Sequence, residues 1–233
     1  MTGPPGPSDP ATAGGLRVVL ARHGQTPANV ARTLDTRLPG PGLTDRGRRQ
    51  AAALGAALAA EHPPPTTIAA VYSSAATRAR ETAGLVAGEL GLVPSVVEGL
   101  QEVQVGELEG RNDETAVAEF LDVVDRWRAG EVDVAFDGGE SATDLLGRFG
   151  RGLDEVRANH ARGGTVVVVA HGAAIRLAAG GLAVDDTRVR PAEDHLDNCG
   201  YVVLAATGGG WRLAAWERRA PDGETSAMDA TSG

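Results

Sequence analysis

The sequence predicts an α/β fold, a three-layer sandwich in which a mostly parallel sheet carries helices on both faces. Three observations carry that expectation. Strand-like and helix-like patterns alternate along residues 16–180; two strand-length runs, 16–21 and 165–170, are almost wholly apolar; and the chain closes on two alternating segments around Gly208-Gly209-Gly210. Unbroken apolar runs mark strands covered on both faces, and β-α alternation places such strands in one parallel sheet between helices.

Taken in order, residues 1–15 hold Pro4, Pro5, Pro7 and Pro10 among Gly, Ser and Thr, and are expected to form a disordered leader. Residues 16–21 are a short apolar run with one arginine, the pattern of a buried strand. Thr44 can cap a helix reaching about Ala60, with Leu54 and Leu58 one turn apart and Pro63-Pro64-Pro65 ending it. A second strand over 68–72 and a helix over 75–90, stopped by Gly91, follow. A short strand over 93–97 and a helix over 112–129 come next. Ser141 can cap a long helix through about His160, with Asp144 in the capping-box position. The valine run 165–170 is a central strand, 173–180 a short helix, and 201–206 with 211–217 a closing hairpin. The hairpin could offer a sheet edge, but the sequence assigns no oligomeric state. Residues 16–217 are thus expected to form one domain, and 218–233 a disordered tail.

Composition narrows the chemistry. All 22 cationic side chains are arginine; against 31 Asp and Glu they leave a net charge of −9. Without lysine there can be no P-loop lysine, Schiff base or kinase-type ATP lysine, so an anion site must use arginine, histidine, backbone and helix ends. A genome that favours Arg over Lys and Val, Ala and Leu over Ile explains the bias, since only two isoleucines occur. The acidic balance argues against a nucleic-acid partner. A single cysteine, Cys199, excludes a disulfide framework. No apolar run reaches membrane-spanning length and no signal-peptide pattern opens the chain, so no membrane partner and a cytoplasmic location are expected.

Two strand ends concentrate the chemistry: the first runs into Arg22-His23-Gly24, the valine strand into His171-Gly172. Ligands of open α/β sheets bind beyond the carboxyl ends of the strands, and each glycine could let the backbone approach a ligand. The five histidines have no metal-motif spacing, and arginines (Arg22, Arg176) rather than carboxylates stand near the two at the strand ends. That suits an anion better than a metal ion, so no metal and no cofactor are expected. A G-x-S-x-G elbow is missing, and Ala205 stands where a cysteine phosphatase built on Cys199 would need arginine.

Leu20-Ala21-Arg22-His23-Gly24-Gln25-Thr26 with Asn29 resembles the signature of the histidine phosphatase superfamily, the phosphoglycerate mutase-like fold. Further blocks keep the family's order: Leu43-Thr44 with Gly47 and Gln50-Ala51; Tyr72-Ser73-Ser74 with Arg78-Ala79 and Glu81-Thr82-Ala83; Leu100-Gln101-Glu102 with Gly106 and Glu109-Gly110; Gly139-Glu140-Ser141; Val169-Ala170-His171-Gly172; and Asn198-Cys199. The resemblance implies a phosphohistidine at His23, with Glu102 as general acid and base. Arg22, Arg78 and a protonated His171 would cradle the phosphoryl group, joined by Asn29 and the amide of Gly172. In-line phosphoryl transfer needs these types: a nucleophile, positive groups over the equatorial oxygens, and a proton for the leaving oxygen.

That role for Glu102 calls for a partly desolvated carboxyl with a raised pKa; Glu107 is the rival acid. Asp45, Arg80 and Glu81 read as helix-surface charge, and Phe120, Trp127 and Phe149 as core. Water is the expected acceptor, because the family's mutases carry a tryptophan where this chain has Ala28, a longer insert than residues 111–138, and a substrate-binding lysine. The expected activity is a metal-independent phosphomonoesterase acting on a small phosphorylated substrate, a sugar phosphate or phosphoglycerate derivative. Arg32, Arg37 and Arg111 are the candidates to hold a second anionic group. The alternatives are mutase-type transfer and a non-catalytic member that binds a phospholigand.

Overall fold

Alternate residues sort the sheet's two faces, since successive side chains of a strand point opposite ways. In β1 (Leu16–Arg22), Leu16, Val18 and Leu20 join one apolar cluster while Val19 and Ala21 join the other. In β4 (Gly164–Ala170), Val166, Val168 and Ala170 take the first face and Val167 and Val169 the second. The computed structural model describes residues 15–183 and 195–218. The expected leader and tail therefore lie outside the described residues, except for Gly15 and Arg218.

The remaining elements are α1 (Pro27–Ala31), α2 (Asp45–Glu61), β2 (Ile68–Ser73), α3 (Thr77–Leu90), β3 (Ser95–Val96), α4 (Glu114–Arg128), α5 (Ala142–Asn159), α6 (Gly172–Gly181), β5 (Tyr201–Ala206) and β6 (Trp211–Glu217). The sheet order is β3-β2-β4-β1-β5-β6. Its first four strands run parallel, while β5 and β6 are antiparallel additions at one edge. Helices α2 and α3 cover one face, burying Leu54, Leu58, Val86 and Ala87 with the second cluster. The first cluster holds residues of α4, α5 and α6, among them Phe120, Leu145, Phe149 and Ile175. The expected three-layer sandwich is the observed architecture. No helix among the described residues is long and apolar enough to cross a membrane.

Local chemistry sets the helix starts. Thr44 caps α2, and Ser141 and Asp144 form the expected box on α5. Helix α4 begins two residues later than expected because the Asp113 carboxylate accepts the Ala116 amide. β3 shrinks to two residues because Pro94 removes a ladder donor and Val93 is exposed. Two short elements were not anticipated: α1, and a 3₁₀ turn at Gly106–Leu108.

Candidate active site

β1 and β4 are parallel neighbours paired Arg22 to Ala170, so the next residue of each strand lands side by side. Those residues are His23 and His171, whose rings lie edge to face with centroids 5.1 Å apart. The amide of His23 still bonds the carbonyl of Ala170 at 3.0 Å, which fixes its backbone to the strand end. β2 lies on the other side of β4 and ends beside it, where the Ser74 hydroxyl meets His171 Nε2 at 2.7 Å.

Each histidine has a tautomer imposed by its neighbours. Nδ1 of His23 lies 2.8 Å from the carbonyl of Gly24, which can only accept, so Nδ1 carries the proton and Nε2 the lone pair. In His171 the Arg78 Nε–H donates to Nδ1 at 3.2 Å, which leaves Nε2–H to donate to Ser74. Burial pushes both pKa values well below 6.5, and Arg78 and Arg22 push the same way. A neutral His23 is the form a nucleophile needs. The protonated His171 expected from the sequence is not what its surroundings favour: burial, then Arg78, then His23 all oppose a charge there.

Arg22 and Arg78 are themselves buried, at 3% and 2% exposure. Arg22 is held by an Nη1 bond to the carbonyl of Leu196, 2.7 Å. Arg78 makes three contacts: His171, the Asp35 carbonyl at 3.1 Å, and the Asp35 carboxylate at 3.4 Å. Two guanidinium forks fixed beside a neutral imidazole make a site for a tetrahedral oxyanion.

Glu102 is half-buried, as expected. Its carboxylate accepts the amides of Ala173 and Ala174 at the start of α6, at 3.1 and 2.8 Å, and its own neighbour's amide, Val103, at 2.9 Å. The loop that carries it is organised by a residue the sequence reading did not single out. Arg148 pairs with Glu140 through two 2.7 Å bonds and donates to the carbonyls of Gly99, Gln101 and Glu102 at 2.7–2.8 Å. Glu107 is exposed and does not line the cleft, so the rival acid is placed outside the site.

Asn29 lines the cleft with its Oδ1 fixed by two donors, the Thr26 amide and Asn198 Nδ2. That leaves its amide N–H₂ as the available donor. Fully buried Asn198 also donates to the His23 carbonyl at 3.0 Å, so it ties the His23 backbone to Asn29. The glycine after His23 serves packing, whereas Gly172 lines the cleft beside Arg22. A Cβ on Gly24 would collide with the Gly47 carbonyl of α2, and one on Gly172 would meet Arg22 Nε at 3.2 Å.

Arg22, His23, Asn29, Arg78, Glu102 and Gly172 line one cleft together with Asp35 and Phe120, whereas fully buried His171 is not among its lining residues. Arg32, Arg37, Arg111 and Arg176 do not line it; Arg111 pairs with Asp113, and half-buried Arg176 lies close enough to Arg22 and Glu102 to feel their charges. Trp127 and Phe149 are core, as expected, whereas Phe120 belongs to both core and cleft. Asp45 and Arg80 are surface charges, but Glu81 accepts the Leu43 amide at 2.9 Å and helps hold the loop before α2.

Residues 18–219 match the family model of the histidine phosphatase superfamily (branch 1). A 2,3-bisphosphoglycerate-dependent phosphoglycerate mutase of Azorhizobium caulinodans is 37% identical over 164 residues, 68% of this chain and 77% of that protein. A PE-PGRS family protein of Mycobacterium tuberculosis is 41% identical over 87 residues, which are 37% of this chain and only 14% of that protein. Among solved structures, a mycobacterial glucosyl-3-phosphoglycerate phosphatase complexed with VO3 superposes with a TM-score of 0.73 at 27% identity, covering 88% of this chain and 100% of that one.

Proposed function

The chain belongs to the histidine phosphatase superfamily, and on that premise we propose that it is a metal-independent phosphomonoesterase for a small phosphorylated metabolite. The observation that carries the reading is His23: a buried neutral imidazole whose Nδ1 is committed to Gly24, which presents a lone pair on Nε2 between two buried arginines.

In the first step Nε2 attacks phosphorus. The Nε2–P bond forms as the ester P–O bond breaks, and a protonated Glu102 gives its proton to the leaving alkoxide. In the second step water attacks the phosphohistidine and passes a proton to Glu102. The Nε2–P bond breaks, releasing phosphate and restoring neutral His23. Arg22, Arg78 and the Asn29 amide hold the equatorial oxygens, in line with the charge that spreads over them. A mycobacterial neighbour was solved as a complex with VO3, itself an oxyanion, which supports a phosphate-like ligand for this chain.

The relatives named as mutases favour a second reading, in which a phosphoglycerate rather than water takes the phosphoryl group. Against it, the described part of the cleft offers no cation beyond Arg22 and Arg78 for a second anionic group. Turnover of p-nitrophenyl phosphate in EDTA tests the first reading. Activity that resists chelation and is lost in His23→Ala supports it; metal-dependent turnover, or an active His23→Ala, overturns it. An inert protein that still binds phosphate would identify a non-catalytic member. Conversion of 3-phosphoglycerate to its isomer faster than phosphate release would establish the mutase.

A further inference from the structure

Asp35 is a charged side chain of the cleft that takes no step in the reaction just described. We propose that Asp35 is the specificity-determining residue of this site, selecting monoesters whose alcohol portion carries uncharged hydroxyl groups over those with a second anionic group near the ester. The inference rests on the phosphatase reading and narrows it to polyol and sugar phosphates.

Asp35 lines the cleft, and its side chain is 18% exposed. Its position is set from both sides. Leu34 exchanges backbone bonds with the 110–111 segment, its amide donating to the Arg111 carbonyl at 2.9 Å and its carbonyl accepting from Gly110 at 2.7 Å. Thr36 gives its amide and hydroxyl to Glu109, at 3.0 and 2.5 Å, and its carbonyl accepts from Gln104 at 3.1 Å. Asp35 itself holds Arg78 through its carbonyl. A carboxylate flanked by residues tied this way cannot be moved out of the cleft without breaking several bonds.

Its one ion pair among the described contacts, to Arg78, is long at 3.4 Å and uses one oxygen. The carboxylate therefore keeps acceptor capacity toward the cleft. A substrate hydroxyl reaching it would make a charge-assisted hydrogen bond. A carboxylate or second phosphate would meet Asp35 and Glu102, while the two lining arginines are engaged by the phosphoryl group. Arg32, Arg37 and Arg111, which the sequence offered as partners for a second anion, do not line the cleft. Repulsion between unit charges a few ångströms apart at a protein surface is enough for about a tenfold discrimination or more.

Glycerol 3-phosphate and 3-phosphoglycerate share a carbon skeleton and differ in a hydroxymethyl against a carboxylate, so their kcat/KM ratio reads this term directly. Wild type is expected to favour glycerol 3-phosphate by at least about tenfold, Asp35→Asn to reduce that preference by about tenfold, and Asp35→Glu to retain it. A wild type that favours 3-phosphoglycerate, or an Asp35→Asn ratio equal to that of wild type, overturns the assignment. p-Nitrophenyl phosphate separates the two failures. If wild type does not hydrolyse it, the phosphatase reading falls; if it does and the ratio is unmoved, only the role of Asp35 falls.

Discussion

Arg148 Nη2 donates to the backbone carbonyl of Glu102 at 2.8 Å, from a helix 46 residues further along the chain. Through that bond and its neighbours, α5 sets the position of the Glu102 loop over the start of α6. Arg148→Met should therefore misplace Glu102 while leaving the phosphoryl cradle in place. Removing one partner of a half-buried ion pair also costs roughly 3–5 kcal/mol of stability. The expected kinetic result is a kcat lower by about 10–100-fold with KM nearly unchanged. An alkyl phosphate should lose more than p-nitrophenyl phosphate, whose leaving group needs less help from a proton. Equal losses on both substrates would make Arg148 a structural residue only.

The pH dependence of stability follows from the two buried histidines. Both have folded pKa values well below the 6.5 of the unfolded chain, because burial and then nearby arginines oppose their charge. Above about pH 6.5 neither state binds the proton and the folded form keeps its full stability; below it the unfolded chain takes up protons that the folded chain refuses. Stability should fall by up to about 1.4 kcal/mol per pH unit for each histidine as pH drops below about 6.5. Urea melts between neutral and mildly acidic pH measure the slope, to which His160, its pKa also lowered by burial, adds its own share, and His171→Gln should flatten it by the share of one buried histidine. An unchanged slope in that variant would count against the buried neutral pair.

Gly24→Ala tests the packing assignment of the first strand-end glycine. The new methyl collides with the Gly47 carbonyl of α2, which is backbone and cannot swing aside. A loss of roughly 1–3 kcal/mol is expected, as for an overpacked core, read as a lower thermal midpoint. Were Gly24 there only to admit a ligand, the midpoint would hold and KM alone would rise.

Asn198→Ala removes the amide that joins the His23 carbonyl to Asn29 Oδ1. Freed from one of its two anchors, Asn29 should orient its N–H₂ less well. A KM increase of about tenfold is expected for a phosphate monoester. An identical increase in Asn29→Ala, with no further loss in the double variant, would confirm that the two act as one unit.

Strand ends, helix caps and the order of the motif blocks were legible because each depends on neighbours a few residues away. Thr44, Ser141 and Asp144 act where the sequence places them. Helix α1 was also within reach: Thr26-Pro27 with Asn29 is a capped start with proline at its first position, and the box is formed. Arg148 and Asp35 were not, since their partners lie 46 and 43 residues away and no local pattern announces a partner at that distance; Asn198 stood in a motif block, but its bond to Asn29, 169 residues away, did not show there. The charge expected on His171 meets opposition for a related reason. Arginine neighbours were foreseen, but the complete burial that makes their repulsion decisive belongs to the folded chain.

The alignment of Arg22 with Ala170 has a consequence for how activity appears during synthesis. His23 emerges early, but its partner ring, the serine that orients that ring and the carbonyl that fixes its own amide all depend on β4. A nascent chain that ends before residue 170 carries an inert imidazole in a half-built sheet. Catalytic competence should therefore appear late, only once this long-range strand pairing and the 196–198 segment that anchors Arg22 and His23 are in place, rather than accumulate helix by helix.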